Sequence, residues 1–280
     1  MKVYKIIHFL SLDIVLGALA VSCFAARMFG SSPGWSWWAA LAISVWILYM
    51  VDHLIDTWRY RKKSKREIHT YLMKRYWFML GLLGLAIIMD SVLILNFMER
   101  SLTKAILALG GLVFLFYAFR HIFRRNRLLF IPGETFVLLF YLAGTWMGPF
   151  LTRGELDLQA DHLLILIMMA GVLLMNLGII SLYDVGLDSR LGISTLARTF
   201  GQKSTRNLLF ATALIVILLS LMQFMVGDTG RTTGFALILA GMTLLYLLIL
   251  FLPAVFRKND AFRLVSDAIL YMCFLSLLVS

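Results

Sequence analysis

Nine apolar segments, each close to the length that crosses a bilayer, alternate with short loops along this chain, and the basic residues fall almost entirely in every second loop. A spanning helix needs roughly 20 apolar residues. By that measure the spans fall at about 7–27, 35–57, 75–97, 102–119, 131–151, 161–183, 204–226, 232–253 and 261–279. With the N-terminus inside, the inner loops hold two (Lys2, Lys5), eight (Arg59 to Arg75), four (Arg120 to Arg127), four (Arg190 to Arg206) and three (Arg257 to Arg263) basic residues. The outer side keeps only Arg27, Arg100, Lys104, Arg153 and Arg231. Adding or removing one span would scramble this alternation, so the positive-inside rule fixes nine helices and a cytoplasmic N-terminus together.

Composition agrees with that reading. The chain is 61% hydrophobic and 15% charged, with a mean hydropathy of +0.88. No soluble domain of 280 residues hides so much apolar surface. The net charge of +11 suggests nucleic acid at first sight, but its confinement to alternate loops assigns it to topology. The N-terminus runs into an apolar helix with no small-residue cleavage site and reads as a retained first span. Cys23 and Cys273 fall inside apolar helices with no metal-ligand spacing. The expectation is one all-α polytopic membrane domain covering 1–280, in the inner membrane of a prokaryotic cell.

Two aspartate pairs stand out against this background. Asp52/Asp56 closes the second span and Asp184/Asp188 the sixth, so both lie at the cytoplasmic edge. Residues four apart share a helix face, so each pair presents two carboxylates side by side. Such carboxylates are costly to desolvate and repel each other, which points to a bound cation. The second pair belongs to a longer pattern, Tyr183-Asp184-Val185-Gly186-Leu187-Asp188-Ser189-Arg190-Leu191-Gly192-Ile193-Ser194-Thr195-Leu196, followed by Gly201. Gly192 permits a turn there, Thr195 is expected to cap a short helix from Leu196 to Phe200, and Gly201 to end it. Arg190, Arg198 and Lys203 surround the segment with the positive charge an anionic ligand bridged through metal requires. The bland alternative is a solvated acidic loop.

This segment, D-x3-D-x3-G-x2-T-L-x4-G, resembles the second aspartate-rich motif of the UbiA superfamily of intramembrane prenyltransferases. The nine spans and the placement of both pairs also fit that family. The resemblance covers the whole chain by architecture and about twenty residues by sharp motif. It implies a nine-helix fold around a central cavity, with Mg²⁺ held by Asp52, Asp56, Asp184 and Asp188. It further implies transfer of an isoprenyl group from an isoprenyl diphosphate to a lipophilic aromatic or hydroxyl acceptor, with the active site facing the cytoplasm. Arg66 (or Arg59), Arg120 with Tyr117, Arg190 and Lys203 are the implied diphosphate contacts. The partners are then that diphosphate, the acceptor and membrane lipid, with no nucleic acid.

The first motif departs from the family form N-D-x2-D-x3-D. The chain reads Tyr49-Met50-Val51-Asp52-His53-Leu54-Ile55-Asp56-Thr57-Trp58, with no asparagine. Asp52 and Asp56 match the last two family acids, or Asp52 stands at the asparagine position and Tyr60 at the final acid. Ser181 takes a place often held by a further acid in the second motif.

Among other polar groups within spans, Asn176 lies two turns before Asp184 and Asp13 lies in the first span, and both are cavity candidates. Asp90, Glu134 and Asp267 are either functional or structurally paired. Phe140, Tyr141 and Trp146 read as core or lipid packing. Gly81/Gly84 and Gly110/Gly111 are expected to allow close helix approach, or to be ordinary membrane-helix glycine. Ser204-Thr205 reads as the N-cap of the seventh span. Competing functions are a non-catalytic UbiA-like scaffold or lipid-binding protein and a cation-coupled transporter. The transporter would place its site at the midplane between broken helices, which this pattern lacks. A CDP-alcohol phosphotransferase would need a D-G-x2-A-R run that is missing.

Overall fold

The computed structural model describes residues 2–60, 67–122, 132–154, 159–191, 193–226 and 230–279. Its helices are α1 (Lys2–Phe9), α2 (Leu12–Phe29), α3 (Trp35–Tyr60), α4 (Glu67–Lys74), α5 (Tyr76–Phe97), α6 (Arg100–Ile122), α7 (Gly133–Leu151), α8 (Ala160–Leu191), α9 (Leu196–Thr199), α10 (Gln202–Val226), α11 (Gly230–Phe251), α12 (Pro253–Phe256) and α13 (Ala261–Ile269). A 3₁₀ turn, Lys258–Asp260, precedes α13, and a 3₁₀ segment, Leu270–Leu278, continues it. No strand occurs among the described residues. Eight of these elements are long and apolar enough to cross a membrane, and α6 is helical throughout the remaining expected span, 102–119. The protein is an all-α, multi-pass membrane protein.

Two spans are built differently from the simple rods that hydropathy suggests. The first, expected at 7–27, is broken at Ser11, whose φ of 55° lies in the left-handed region. The break is affordable inside a bilayer because side chains replace the lost helical bonds. Trp46 donates its indole N–H to the Leu10 carbonyl at 3.0 Å, and the Asp13 carboxylate accepts from the Ile14 N–H at 3.0 Å. The last span changes from α to 3₁₀ at Leu270. Nine residues at about 1.5 Å and nine at about 2 Å give about 31 Å, close to the hydrocarbon thickness. The loop behind the first aspartate pair contains an unanticipated helix, α4, which packs on α3 and fully buries Leu72.

The packing is uneven. The main core joins α2, α7, α8, α10, α11 and the C-terminal segment around Phe24, Met168, Met175, Phe235 and Tyr246. The C-terminal 3₁₀ segment lies along α2, and Arg27 at the end of α2 donates to the Val279 carbonyl at 3.0 Å, which ties the two together. Smaller clusters join α2, α3, α5 and α6, and α3, α4 and α5. On α5 and α6 the large apolar side chains point outward, with Trp77 78% and Phe114 72% exposed, as lipid-facing surfaces require.

Close helix approach occurs at glycines other than those expected. Gly81, Gly84, Gly110 and Gly111 face open space. A Cβ at Gly148 would instead meet the Trp37 ring at 2.2 Å, and one at Gly178 would meet Leu209 at 2.6 Å. They lie on α7 and α8, two helices of the main core.

Candidate functional site

The pattern around Asp184 folds as an extension of α8 beyond the bilayer. At about 1.5 Å per residue the 32-residue helix is about 48 Å long, so its last turns project past a hydrocarbon core of about 30 Å. Both aspartates therefore stay on one helical face. Asp188 is 7% exposed, and the Asp184 side chain is 15% exposed. Tyr183, just before them, is stacked on Phe262 with ring centroids 4.6 Å apart and donates to the Ile249 carbonyl at 2.8 Å. That clamp fixes the rotation of α8 where the carboxylates leave it.

Arg263 is the residue that sequence reading missed. Its guanidinium donates to the Asp184 carboxylate, linking α8 to the first turn of α13. In the sequence it is one more basic residue of an inner loop, and only its i, i+4 spacing to Asp267 hints at a second role.

The turn after α8 is built as expected in outline and differently in detail. The short helix is present as α9, and Gly201 ends it with φ 84°. Thr195 makes no side-chain capping bond. The α9 amides are capped from other helices: Leu196 N–H by the Glu134 carboxylate at 2.9 Å and Ala197 N–H by the Ser181 hydroxyl at 3.0 Å. Thus Glu134, an open candidate in the sequence, anchors this turn. Ser181, where the family often carries an acid, does the same. The seventh span starts at Gln202 rather than after Ser204-Thr205, because the Gly201 carbonyl already accepts from Thr205 N–H at 3.0 Å. Gly192 lies outside the described residues.

The first pair sits in a more open setting. Asp52 and Asp56 occupy the last turns of α3, with Asp52 exposed and Asp56 half-buried. Consecutive spans alternate in direction, so α3 and α8 end on the same side of the bundle. Arg190 and Lys203 are exposed near the end of α8 and the start of α10, and Arg59 is exposed at the end of α3. Tyr117 and Arg120 lie on the last turns of α6. Arg66 lies outside the described residues.

Deeper in the bundle, the remaining polar candidates meet one another. Asn176 is 6% exposed; its amide donates to the Ser266 carbonyl at 3.0 Å, the Tyr246 hydroxyl at 3.3 Å and Asp267 at 3.5 Å. Asp13 is 5% exposed, with its carboxylate 2.6 Å from His8 Nδ1. Tyr271 donates to the Asp13 carbonyl at 3.0 Å. Asp90 is held structurally, accepting from the Ser44 hydroxyl at 2.5 Å. Trp146 packs among Phe24 and Phe29 as core.

The donor chemistry at the end of α8 suits a hard divalent cation. It offers carboxylate oxygens, one of them on a buried residue, and Asp184 already draws a cationic guanidinium to itself. Mg²⁺ favours such oxygen donors and keeps part of its water shell, so few protein carboxylates suffice.

No protein-family model and no curated protein matches the sequence. Among solved structures, the chain matches a UbiA homologue from Archaeoglobus fulgidus, bound to DMAPP and Mg²⁺. The TM-score is 0.60 at 14% identity, covering 98% of this chain and 99% of that one. The two folds correspond end to end, and this chain therefore has the UbiA fold.

Proposed function

We propose that the chain is a member of the UbiA superfamily and a Mg²⁺-dependent intramembrane prenyltransferase, formed by a single domain over 1–280. It would move an isoprenyl group from an isoprenyl diphosphate to a lipophilic acceptor. The observation that carries this reading is the Asp184/Asp188 face of α8, clamped by Tyr183 on a fold whose solved counterpart binds DMAPP and Mg²⁺.

Asp184 and Asp188, with Asp52 and Asp56 from α3, are the residues that would hold the cation. When bound, Mg²⁺ neutralises the diphosphate and stabilises it as leaving group. The chain's own part is positioning. Arg190, Lys203, Arg120 and Arg66 would supply charge-assisted contacts to phosphate oxygens, with Tyr117 as a further contact. Arg263 neutralises Asp184 until a cation replaces it. An apolar site within the bundle would exclude water, so that the allylic carbon losing diphosphate is captured by the acceptor, which gives up a proton. Asn176 and Asp13 lie below the diphosphate end, where an acceptor's polar group would reach. The concentration of basic residues on this side supports a cytoplasmic orientation of this end.

The Arg263–Asp184 ion pair also favours a second reading, a non-catalytic UbiA-like lipid-binding protein whose site is filled by its own arginine. Incubating the purified protein in nanodiscs with a radiolabelled isoprenyl diphosphate, Mg²⁺ and a lipid extract separates the two. Release of diphosphate with transfer of label to a new lipid supports the enzyme. Binding without release supports the second reading, and no binding at any Mg²⁺ concentration rejects both.

A further inference from the structure

Below the aspartate pairs lies a second polar cluster, separate from the Mg²⁺ ligands and diphosphate contacts proposed above. His8 of α1, Asp13 of α2 and Asp267 of α13 present one ligand atom each, all within 4.8 Å of one another. Three separate elements meet there, and the break at Ser11 is what turns His8 back onto Asp13. Asp267 is one turn beyond Arg263, and Asn176 two turns before Asp184, so the cluster lies about 6–12 Å deeper than the carboxylates of α8.

Charge and orphaned hydroxyls both call for a ligand in this cluster. Two carboxylates this close inside a bilayer repel strongly; one histidine neutralises at most one of them, and Arg263, one turn from Asp267, is already paired with Asp184. A divalent cation with neutral His8 balances both. Close to Asp13 and Asp267 in the chain, the hydroxyls of Ser11 and Ser266, both fully buried, have no hydrogen-bond partner among the described residues, nor has that of Tyr141. The Tyr141 oxygen lies 3.6 Å from where a Cβ at Gly17 would sit, one turn from Asp13 on the same face of α2. Buried polar atoms without partners mark places where a water or an ion belongs.

We propose that His8, Asp13 and Asp267 form a binding site for one divalent cation of the nitrogen-and-oxygen-preferring class, such as Zn²⁺ or Mn²⁺, distinct from the Mg²⁺ ligands of α3 and α8. Bonds of about 2.0–2.2 Å place ligand atoms about 3–4 Å apart, so His8 and Asp13, now hydrogen-bonded at 2.6 Å, must part slightly while Asp267, within 4.8 Å of both, moves in. A histidine nitrogen in the set selects against Mg²⁺ and towards the transition-metal class. Asn176 donating to Asp267, and the Ile14 N–H donating to Asp13, supply the outer bonds that orient such ligands. The site does not depend on the prenyl-transfer reading.

The test is Zn²⁺ titration of the full chain in nanodiscs under millimolar Mg²⁺, read by metal analysis and chelator competition. The expected result is one saturable Zn²⁺ per chain, lost in His8→Ala and Asp267→Asn. Asn176→Ala should weaken it about 10- to 100-fold. Asp184→Asn/Asp188→Asn should leave it unchanged. Because loss in the first variants could reflect misfolding, His8→Cys should retain binding and give a thiolate charge-transfer band with Co²⁺. No saturable Zn²⁺ in the intact chain overturns the proposal. So does binding that survives His8→Ala with Asp267→Asn, binding lost in the Asp184/Asp188 variant, or a His8→Cys protein without the thiolate band. Failure of diphosphate binding with Zn²⁺ binding intact would reject the enzyme alone.

Discussion

The two aspartate pairs have the same spacing and end parallel helices, yet the bundle treats them differently. Asp184 and Asp188 leave a helix fixed by Tyr183, beside an arginine from α13 and a turn capped from α7 and α8. Asp52 and Asp56 end a helix whose last turns pack on α4 and α5 in a small cluster apart from the main core. A carboxylate in a fixed frame needs no reorganisation to bind a cation, whereas an exposed one must first be ordered. The second pair should therefore dominate affinity, with the first completing the site when ligand arrives.

That asymmetry can be broken by mutation. Asp188→Ala should produce the largest effect, weakening Mg²⁺-dependent isoprenyl diphosphate binding by about 100-fold or more, since a charge-assisted contact in a buried setting is worth several kcal/mol. Asp52→Ala should cost about tenfold in the same equilibrium assay, as for a screened and more mobile ligand. Equal losses would show that the two helix ends are equally organised.

Arg263→Gln sharpens the comparison from the other side. With its internal cation removed, Asp184 should bind Mg²⁺ alone more tightly, by about tenfold, in a calorimetric titration without diphosphate. An unchanged constant would mean that Arg263 does not compete for the site.

The smallest effects concern packing in the two halves. Gly148→Ala drives a methyl into Trp37 and should destabilise the fold by about 1–3 kcal/mol in thermal denaturation. Gly84→Ala, facing open space on α5, should change stability by less than about 0.5 kcal/mol. A larger loss at Gly84 than at Gly148 would reverse this contrast.

Much of the architecture was legible in the sequence, because hydropathy and loop charge report directly on what the bilayer demands. The sixth span and its aspartate face are the clearest instance. The break at Ser11 was not legible, since it depends on Trp46 and Asp13 supplying bonds from elsewhere. The glycines misled for a related reason: spacing shows where a helix is thin, not which neighbour lies opposite. Thr195 looked like a cap because local sequence favours it, but the actual cap, Glu134, lies 62 residues from Leu196 and only the fold brings it there. Arg263 was hidden among topogenic charges. His8 was hidden by a first span that hydropathy draws as continuous.

The most direct test of the central claim is equilibrium binding of a labelled isoprenyl diphosphate to the chain in nanodiscs, with and without Mg²⁺, for the natural sequence and for Asp184→Asn/Asp188→Asn. The account predicts saturable binding that requires Mg²⁺ and disappears in the double variant while the variant's thermal stability is retained. Mg²⁺-independent binding, or full binding by a folded double variant, would contradict it.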